Sequence, residues 1–458
     1  MRILLTGATG LIGKELGKRL VLAGHEVVVV SRNVDKARRE LPFPARIFSW
    51  AGGRTEFPSQ ALSGLEAVIN LAGEPIAGSR WSARQKAAIT DSRVLGTQKL
   101  IEALLRNPTP LKYFVQGSAI GIYGDRADET LNEDSSAGTG FLASVVIDWE
   151  ATLRPLSQSG VPVSVLRTGL VLSRHGGFLS KIAPLFALGL GGKLSSGQQW
   201  MSWIHIDDMI SAIEHLLVGR HAGIFNLTAP QPARNDRFTL ALAKALGRNV
   251  FFPVPSLALR MAMGEASQLA LASQRVLPKR LSEVGFQFHY SELPAALEEI
   301  CQPLRGGRHE LLNEQWLPRL PAEIFPFFSS ETNLEKITPP FLRFRVLGKT
   351  TDEIRSGTFL DYRLRVHGVP MKWRTEIIDW RPDESFIDRQ VTGPYREWHH
   401  THEFLPMAGG TLMRDRVRYQ LPLGFVGETM AGWKVSRDVL EIFRYRRESI
   451  DQVFGARA

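Results

Sequence analysis

The sequence predicts an α/β doubly wound parallel sheet with a small helical cap, followed by an α+β domain in which an antiparallel sheet meets a long C-terminal helix. Three observations carry this. Short apolar runs alternate with helical stretches over residues 1–230, a glycine-rich turn follows the first run, and beyond residue 310 the pattern changes to period two before ending in helical spacing.

In chain order, Arg2–Thr6, Glu26–Ser31, Glu66–Leu71, Tyr113–Gln116 and Val163–Arg167 read as buried strands. Helical stretches lie between several of them, at Leu11–Ala23, Ala83–Arg106 and Leu142–Gln158. Residues 231–300 turn helical and proline-punctuated and read as a cap on the first domain, residues 1–230. Glycines, proline and charge interrupt the periodicity at 301–310, a linker. In the second domain, 311–458, Leu360, Tyr362, Leu364 and Val366 alternate with polar residues, as do Met413, Asp415, Val417 and Tyr419, so each strand has one wet face. The last thirty residues place Met430, Trp433, Leu440, Phe443, Ile450 and Phe454 where they can form one apolar helical stripe.

Composition narrows the function classes. At 458 residues and 44% hydrophobic content the chain can bury two or three cores. No apolar run reaches the length of a membrane span, and MRILLTGATG runs into glycines where an export signal would stay apolar, so a cytoplasmic location is expected. The lone Cys301 excludes an internal disulfide. The net charge of +10 divides as +7 over the first 300 residues and +3 over the rest, with basic residues scattered among acids, so a solvated basic surface is expected and no nucleic-acid partner. The last 158 residues hold 20 of the 41 aromatics, a density that suits either a thick core or an apolar cavity for a hydrophobic ligand.

The strongest motif is Gly7-Ala8-Thr9-Gly10-Leu11-Ile12-Gly13, set between the first strand and the first helix. Gly7 allows the tight turn, Gly10 lets backbone approach a pyrophosphate, and Gly13 permits close packing of helix on strand, while the helix N-terminus offers N–H groups to phosphate. The turn predicts dinucleotide binding through Gly7, Thr9, Gly10, Leu11, Ile12 and Gly13. Strand two ends at Ser31-Arg32, where an NAD site would place an acid against the ribose 2′-hydroxyl. A hydroxyl and a guanidinium suit a 2′-phosphate, so NADP(H) is preferred over NAD(H). Asn70-Leu71-Ala72-Gly73 resembles the turn beneath the adenosine ribose and completes the cofactor set.

These residues, with GSAIGIYG (117–124), LRTG (166–169) and WIHIDD (203–208), resemble the extended short-chain dehydrogenase/reductase superfamily. NLAGEPIAGSRW, GIYGDRADETLNED and WMSWIHIDD resemble its atypical epimerase-like branch, the NAD-dependent epimerase/dehydratase proteins with a C-terminal helical module, over residues 1–300. The resemblance implies a Rossmann-type fold and an oxidoreductase or epimerase-like activity on a small-molecule substrate. It also implies a Tyr-x-x-x-Lys pair for proton transfer. Here the stretch is Phe141-Leu142-Ala143-Ser144-Val145, with Phe and Val at the two key positions; one residue on stand Leu142 and Val146. The helper hydroxyl falls on Ala119, with Ser118 one place earlier. Ser118 and Tyr123 remain as catalytic candidates. Glu74, Arg80, Glu133, Asp148 and Glu150 read as solvated or structural groups, and His205 and Asp207 as part of a structural turn.

Beyond the linker, NLEKITPP (333–340), the strand at 362–367, GPYREWHH (393–400) and the terminal helix resemble a START/polyketide-cyclase-like (SRPBCC) domain. That resemblance implies a helix-grip fold enclosing an apolar ligand cavity. His400 and His402 share one face of a strand, but no third ligand stands out, so no metal is assigned. Asp415, on the apolar side of its strand, reads as a polar anchor or a structural group. Two functions then fit: an NADP(H)-dependent oxidoreductase or epimerase-like enzyme, or a non-catalytic protein that senses NADP and holds a hydrophobic ligand.

Overall fold

The first strands are almost purely Val, Ile and Leu because both of their faces are covered, and they form one parallel sheet. In this computed structural model, which describes residues 1–107 and 110–455 and all their side chains except those of Phe425 and Val426, the sheet contains β1 (Arg2–Thr6), β2 (Glu26–Ser31), β3 (Arg46–Ser49), β4 (Ala67–Asn70), β5 (Tyr113–Ala119), β6 (Val163–Thr168) and β7 (Gly223–Leu227). Their spatial order is β7-β6-β5-β4-β1-β2-β3, all parallel. The order reverses at β1, so the crevice outside the carboxyl ends of β1 and β4 is where such sheets bind ligands. The edge strands β3 and β7 are additions to the sequence reading. β3 is half-exposed and the apolar residues of β7 are interrupted by Asn226, so neither carries a strong apolar run.

Helices α1 (Leu11–Leu22) and α2 (Ala83–Arg106) form where the periodicity places them. The expected helix over 142–158 is instead two, α3 (Phe141–Ala151) and Arg154–Gln158. Pro155 has no N–H to continue α3, and its fixed φ suits the first turn of a new helix. Further on lie α4 (Ile206–Gly219), α5 (Asn235–Ala245), α6 (Ser256–Met263) and α7 (Leu293–Cys301). The cap is stitched to the rest of its unit by short pairings, Arg275–Val276 with Thr130–Leu131 and Ala233–Arg234 with Trp200–Met201.

The chain divides into two units: residues 1–37 with 45–302, and 38–44 with 303–458. The second is built on a seven-stranded antiparallel sheet of β8 (Arg308–Leu317), β9 (Arg345–Lys349), β10 (Phe359–Val366), β11 (Val369–Arg381), β12 (Ser385–Thr392), β13 (Glu397–Met407) and β14 (Gly410–Gln420). From β9 to β14 each strand pairs with the next, and β8 closes the order beside β14. Leu360, Tyr362 and Leu364 are buried, as are Met413, Asp415, Val417 and Tyr419, so the alternation marks the inner face. Helix α8 (Pro321–Phe328) and helix α9 (Phe425–Phe454) pack on it, α8 placing Phe325 and Phe328 among Phe386, Phe404 and Ile450.

The stripe expected on α9 is borne out at Phe443 and Ile450 and corrected at Met430, Trp433 and Leu440. Met430, Trp433 and Leu440 face solvent, Trp433 with 69% of its surface exposed, whereas Val439, Phe443, Arg446 and Ile450 are buried. A helix with apolar residues on more than one side has several stripes of similar width. Which one is buried is decided by the partner sheet.

Candidate functional site

The glycine turn is the geometry that the sheet order demands at its switch point. Gly7 has φ +70°, and a Cβ there would stand 2.7 Å from the Leu71 carbonyl oxygen. On Gly13 it would run into the Gly7 carbonyl and come within 2.7 Å of the Ala8 Cα. Both positions therefore require glycine. Gly10 N–H donates to Gly7 O at 3.0 Å, closing the turn, and Gly10 caps α1 with no side chain over the first N–H groups. Thr9 and Gly10 are exposed, Leu11 and Ile12 half-buried, Gly13 buried.

The neighbouring turn is anchored from beneath. Thr6 Oγ1 donates to Asn70 Oδ1 at 2.6 Å and accepts the N–H groups of Leu71 and Ala72 at 3.1 Å each. Asn70 Nδ2 donates to Thr97 Oγ1 and Gln116 Oε1, both at 3.0 Å. Asn70–Gly73 is thus locked beside the glycine turn by buried hydrogen bonds spanning β1, β4, β5 and α2. Over it sits Arg93, a residue the sequence reading missed. Its guanidinium would stand 3.0 Å from a Cβ on Gly73, and Nη1 donates to Glu74 O at 3.0 Å. Burial lowers its pKa to about 10.

Ser31 and Arg32 leave β2 beside these turns. Ser31 Oγ accepts from Asn33 N–H at 3.3 Å. Arg32 is 78% exposed, and its Nη1 lies 3.6 Å from Glu74 Oε2. An acid does reach this corner, but from the turn after β4 and paired to the arginine.

Ser118 and Tyr123 are brought together, in a buried polar chain. Ser118 Oγ donates to Glu150 Oε1 at 2.6 Å, and Glu150 is held by Arg167 through Nη2 at 2.8 Å and Nε at 2.9 Å. Arg167 Nη1 donates to the Tyr123 hydroxyl at 3.0 Å, which donates to Asn226 Oδ1 at 2.8 Å; Asn226 N–H then donates to Glu133 Oε1 at 2.9 Å. This chain cross-links β5, β6 and β7. Burial pushes the Tyr123 phenol up, opposed by the Arg167 charge, and burial also raises Glu133. Neither candidate hydroxyl is presented to solvent. Asp148 is exposed on α3, and Arg80 donates to the Met261 and Ala262 carbonyls of the cap.

Where a tyrosine and lysine would stand, Phe141, Leu142 and Val145 pack with Ile76, Trp81, Met263 and Ala266. Lys86 lies 5.2 Å from the Phe141 ring centroid and pairs with Glu265, two further ionisable groups that spacing alone did not reveal. His205 caps α4 through Nδ1, accepting Asp207 N–H at 3.1 Å, and its Nε2 is 3.2 Å from Glu299 Oε2 on α7. Buried Asp208 accepts the N–H groups of His289 and Tyr290 at 2.8 and 2.9 Å. WIHIDD therefore ties the cap to α4.

The NAD dependent epimerase/dehydratase family profile matches residues 3–228, and a domain of unknown function, DUF1731, matches 254–300. Human epimerase family protein SDR39U1 is 37% identical over 305 residues, 66% of this chain and 99% of that protein. This chain belongs to the NAD-dependent epimerase/dehydratase family. Another relative, Mycobacterium bovis epimerase family protein Mb2239, is 39% identical over 297 residues, 64% of this chain and 96% of its own length. A crystal structure of human SDR39U1 with NADPH superimposes at TM-score 0.60 and 34% identity, covering 66% of this chain and 99% of that one. A nucleoside-diphosphate sugar epimerase from Corynebacterium glutamicum reaches TM-score 0.54 at 33% identity, covering 66% of this chain and 58% of that one. Both family profiles lie within the first 300 residues.

The second unit holds its own polar cluster. Asp388 on β12 is directly opposite His400 on β13, and His402 is opposite Asp415 on β14. The two imidazoles lie 3.8 Å apart between the carboxylates, with Arg446 of α9 beside Asp415 at 3.3 Å. Against burial, which would raise it, the facing imidazoles hold the Asp388 carboxyl well below the usual carboxylate range. No helix among the described residues is long and apolar enough to cross a membrane.

Proposed function

We propose that the chain is an NADP(H)-dependent oxidoreductase or epimerase-like enzyme acting on a small, partly apolar substrate. Gly7, Thr9, Gly10, Leu11, Ile12 and Gly13 receive the pyrophosphate, Asn70, Leu71, Ala72 and Gly73 back the adenosine side, and Ser31 and Arg32 read the 2′-phosphate. The observation that carries the cofactor choice is Arg32, an exposed guanidinium at the end of β2 with Glu74 3.6 Å away to steady it. The NADPH bound to human SDR39U1 supports the same choice. Exposed Phe251, Phe252, Leu257 and Met261 on the cap offer an apolar substrate a surface.

In this reading residues 1–230 bind the dinucleotide, 231–300 form the cap, the link expected over 301–310 narrows to residues 302–307 between α7 and β8, and the remainder to 458 is a START-like helix-grip domain for a hydrophobic ligand. The packing of Val439 and Phe443 of α9 against Val417 and Tyr419 supports the helix-grip assignment. A cytoplasmic location belongs to the same reading. The apolar cluster at Phe141 and Val145 favours a second reading, a non-catalytic NADP sensor, because it supplies no proton donor at the expected place.

Cofactor titration tests the assignment. Arg32→Ala should weaken NADPH binding about tenfold to a hundredfold, the worth of a charge-assisted contact, and leave NADH binding within twofold. Equal losses for both remove Arg32 from the 2′-phosphate. Oxidation of NADPH that depends on an added carbonyl or nucleotide-sugar substrate supports the enzyme; tight binding without turnover across such a panel supports the sensor.

A further inference from the structure

We propose that Asp388, His400 and His402 bind one divalent first-row transition cation in the second unit, with Asp415 as the carboxylate that orients both imidazoles. The site is independent of the dinucleotide reading. Its three donors come from two adjacent strands: His400 and His402 share a face of β13, and strand register puts Asp388 across from His400. Asp388 Oδ2 stands 3.2 Å from His400 Nδ1 and 2.9 Å from His402 Nε2, and one donor atom from each residue lies within 4.8 Å of the others. Ligand atoms around a cation with bonds of about 2.1 Å are separated by roughly 3–3.5 Å. The two carboxylate–imidazole separations are already at or near that spacing.

The opposite edges of the rings carry the stronger argument. His400 Nε2 and His402 Nδ1 lie 3.1 and 2.9 Å from the same atom, Asp415 Oδ1. A carboxylate that accepts the distal N–H of each histidine fixes the tautomer in which the other nitrogen is a ligand, the usual arrangement behind metal-bound imidazoles. Asp415 is itself held by Arg446 Nε at 3.3 Å and Asn313 Nδ2 at 3.5 Å. Arg446 Nη2 also lies 3.3 Å from His402 Nδ1 and can only donate, which favours the other His402 tautomer, so cation binding requires the proton to leave Nε2 and Nδ1–H to turn to Asp415.

Charge and access agree. Two carboxylates meet one guanidinium here, among Phe386, stacked 4.1 Å from His402, and Phe443, 5.3 Å from His400, so the second carboxylate is balanced either by a proton on an imidazole or, once that proton is displaced, by a cation. An uncompensated buried charge is costly, and a cation relieves it. Asp388 is the partly exposed member and provides the way in. Two histidines and one carboxylate leave coordination positions for water or an anionic ligand, as in sites that bind or transform a ligand, and unlike closed structural sites.

The test uses the full chain, stripped with a chelator and titrated with Co²⁺, then with Zn²⁺ as competitor. One equivalent of Co²⁺ should bind with visible d–d absorption and be displaced by one Zn²⁺. Asp388→Asn and His402→Gln should each weaken binding more than a hundredfold, and Asp415→Asn by about tenfold to a hundredfold as an outer-shell change. Far-UV circular dichroism and the melting temperature report whether each variant folds. Failure of the folded wild-type chain to take up Co²⁺ at 100-fold excess, or uptake that neither Asp388→Asn nor His402→Gln reduces, overturns the site.

Discussion

Tyr123 has a buried hydroxyl that both accepts from Arg167 and donates to Asn226. Tyr123→Phe should cost about 1–3 kcal/mol of stability, because Arg167 Nη1 and Asn226 Oδ1 each lose a partner in a buried place. Cofactor affinity should be unchanged, since the hydroxyl closes a chain that joins strands. Chemical denaturation of the variant, read beside an NADPH titration, checks both halves; a fall in turnover of a hundredfold or more with intact stability would instead make Tyr123 the proton donor. Glu299 gives a pH signature. The hydrogen bond from His205 holds its carboxyl at about 2 against an ordinary 4.5, with Arg174 assisting. Its stabilising contribution is present above pH 4.5 and is lost as the pH falls toward 2, so Glu299→Gln should lower stability at neutral pH, flatten the acid limb of the stability curve between those values and converge with the wild type near pH 2.

At the scale of elements, α9 provides the cleanest contrast. Phe443 is buried against Val417 and Tyr419, whereas Trp433 is exposed. Phe443→Ala should cost about 3–5 kcal/mol and Trp433→Ala within about 0.5 kcal/mol. Urea denaturation of the two variants measures this, and similar losses would mean that Trp433 is packed as Phe443 is. The parallel strands were legible because each is a short, unbroken apolar run, and the antiparallel ones because their residues alternate. Edge strands β3 and β7 were not, since β3 is half-exposed with Arg46 and Ser49 at its ends and the apolar residues of β7 are interrupted by Asn226. The break before Pro155 was legible in principle, from the proline alone.

For the whole molecule, each unit has its own sheet and its own buried cluster. Calorimetry should therefore resolve two transitions. NADPH at a hundred times its Kd should stabilise the first unit by about 2.7 kcal/mol, and Co²⁺ should raise the second. One transition that moves with either ligand would mean that the two cores unfold together.

Local spacing by itself determined the doubly wound first unit, the dinucleotide turn at Gly7–Gly13 and the alternating strands of the second, because those features are written in neighbouring residues. Resemblance to a known superfamily then pointed to the empty place at Phe141 and Val145. Only the tertiary structure decided what fills that place, which stripe of α9 is buried, and which groups meet in the two polar clusters. Arg93 reaches Glu74 from nineteen residues away, and Asp388 meets His400 through strand register. Contacts between residues distant in sequence leave no periodicity to read; they are set by how strands pair and by which charges must find partners once buried.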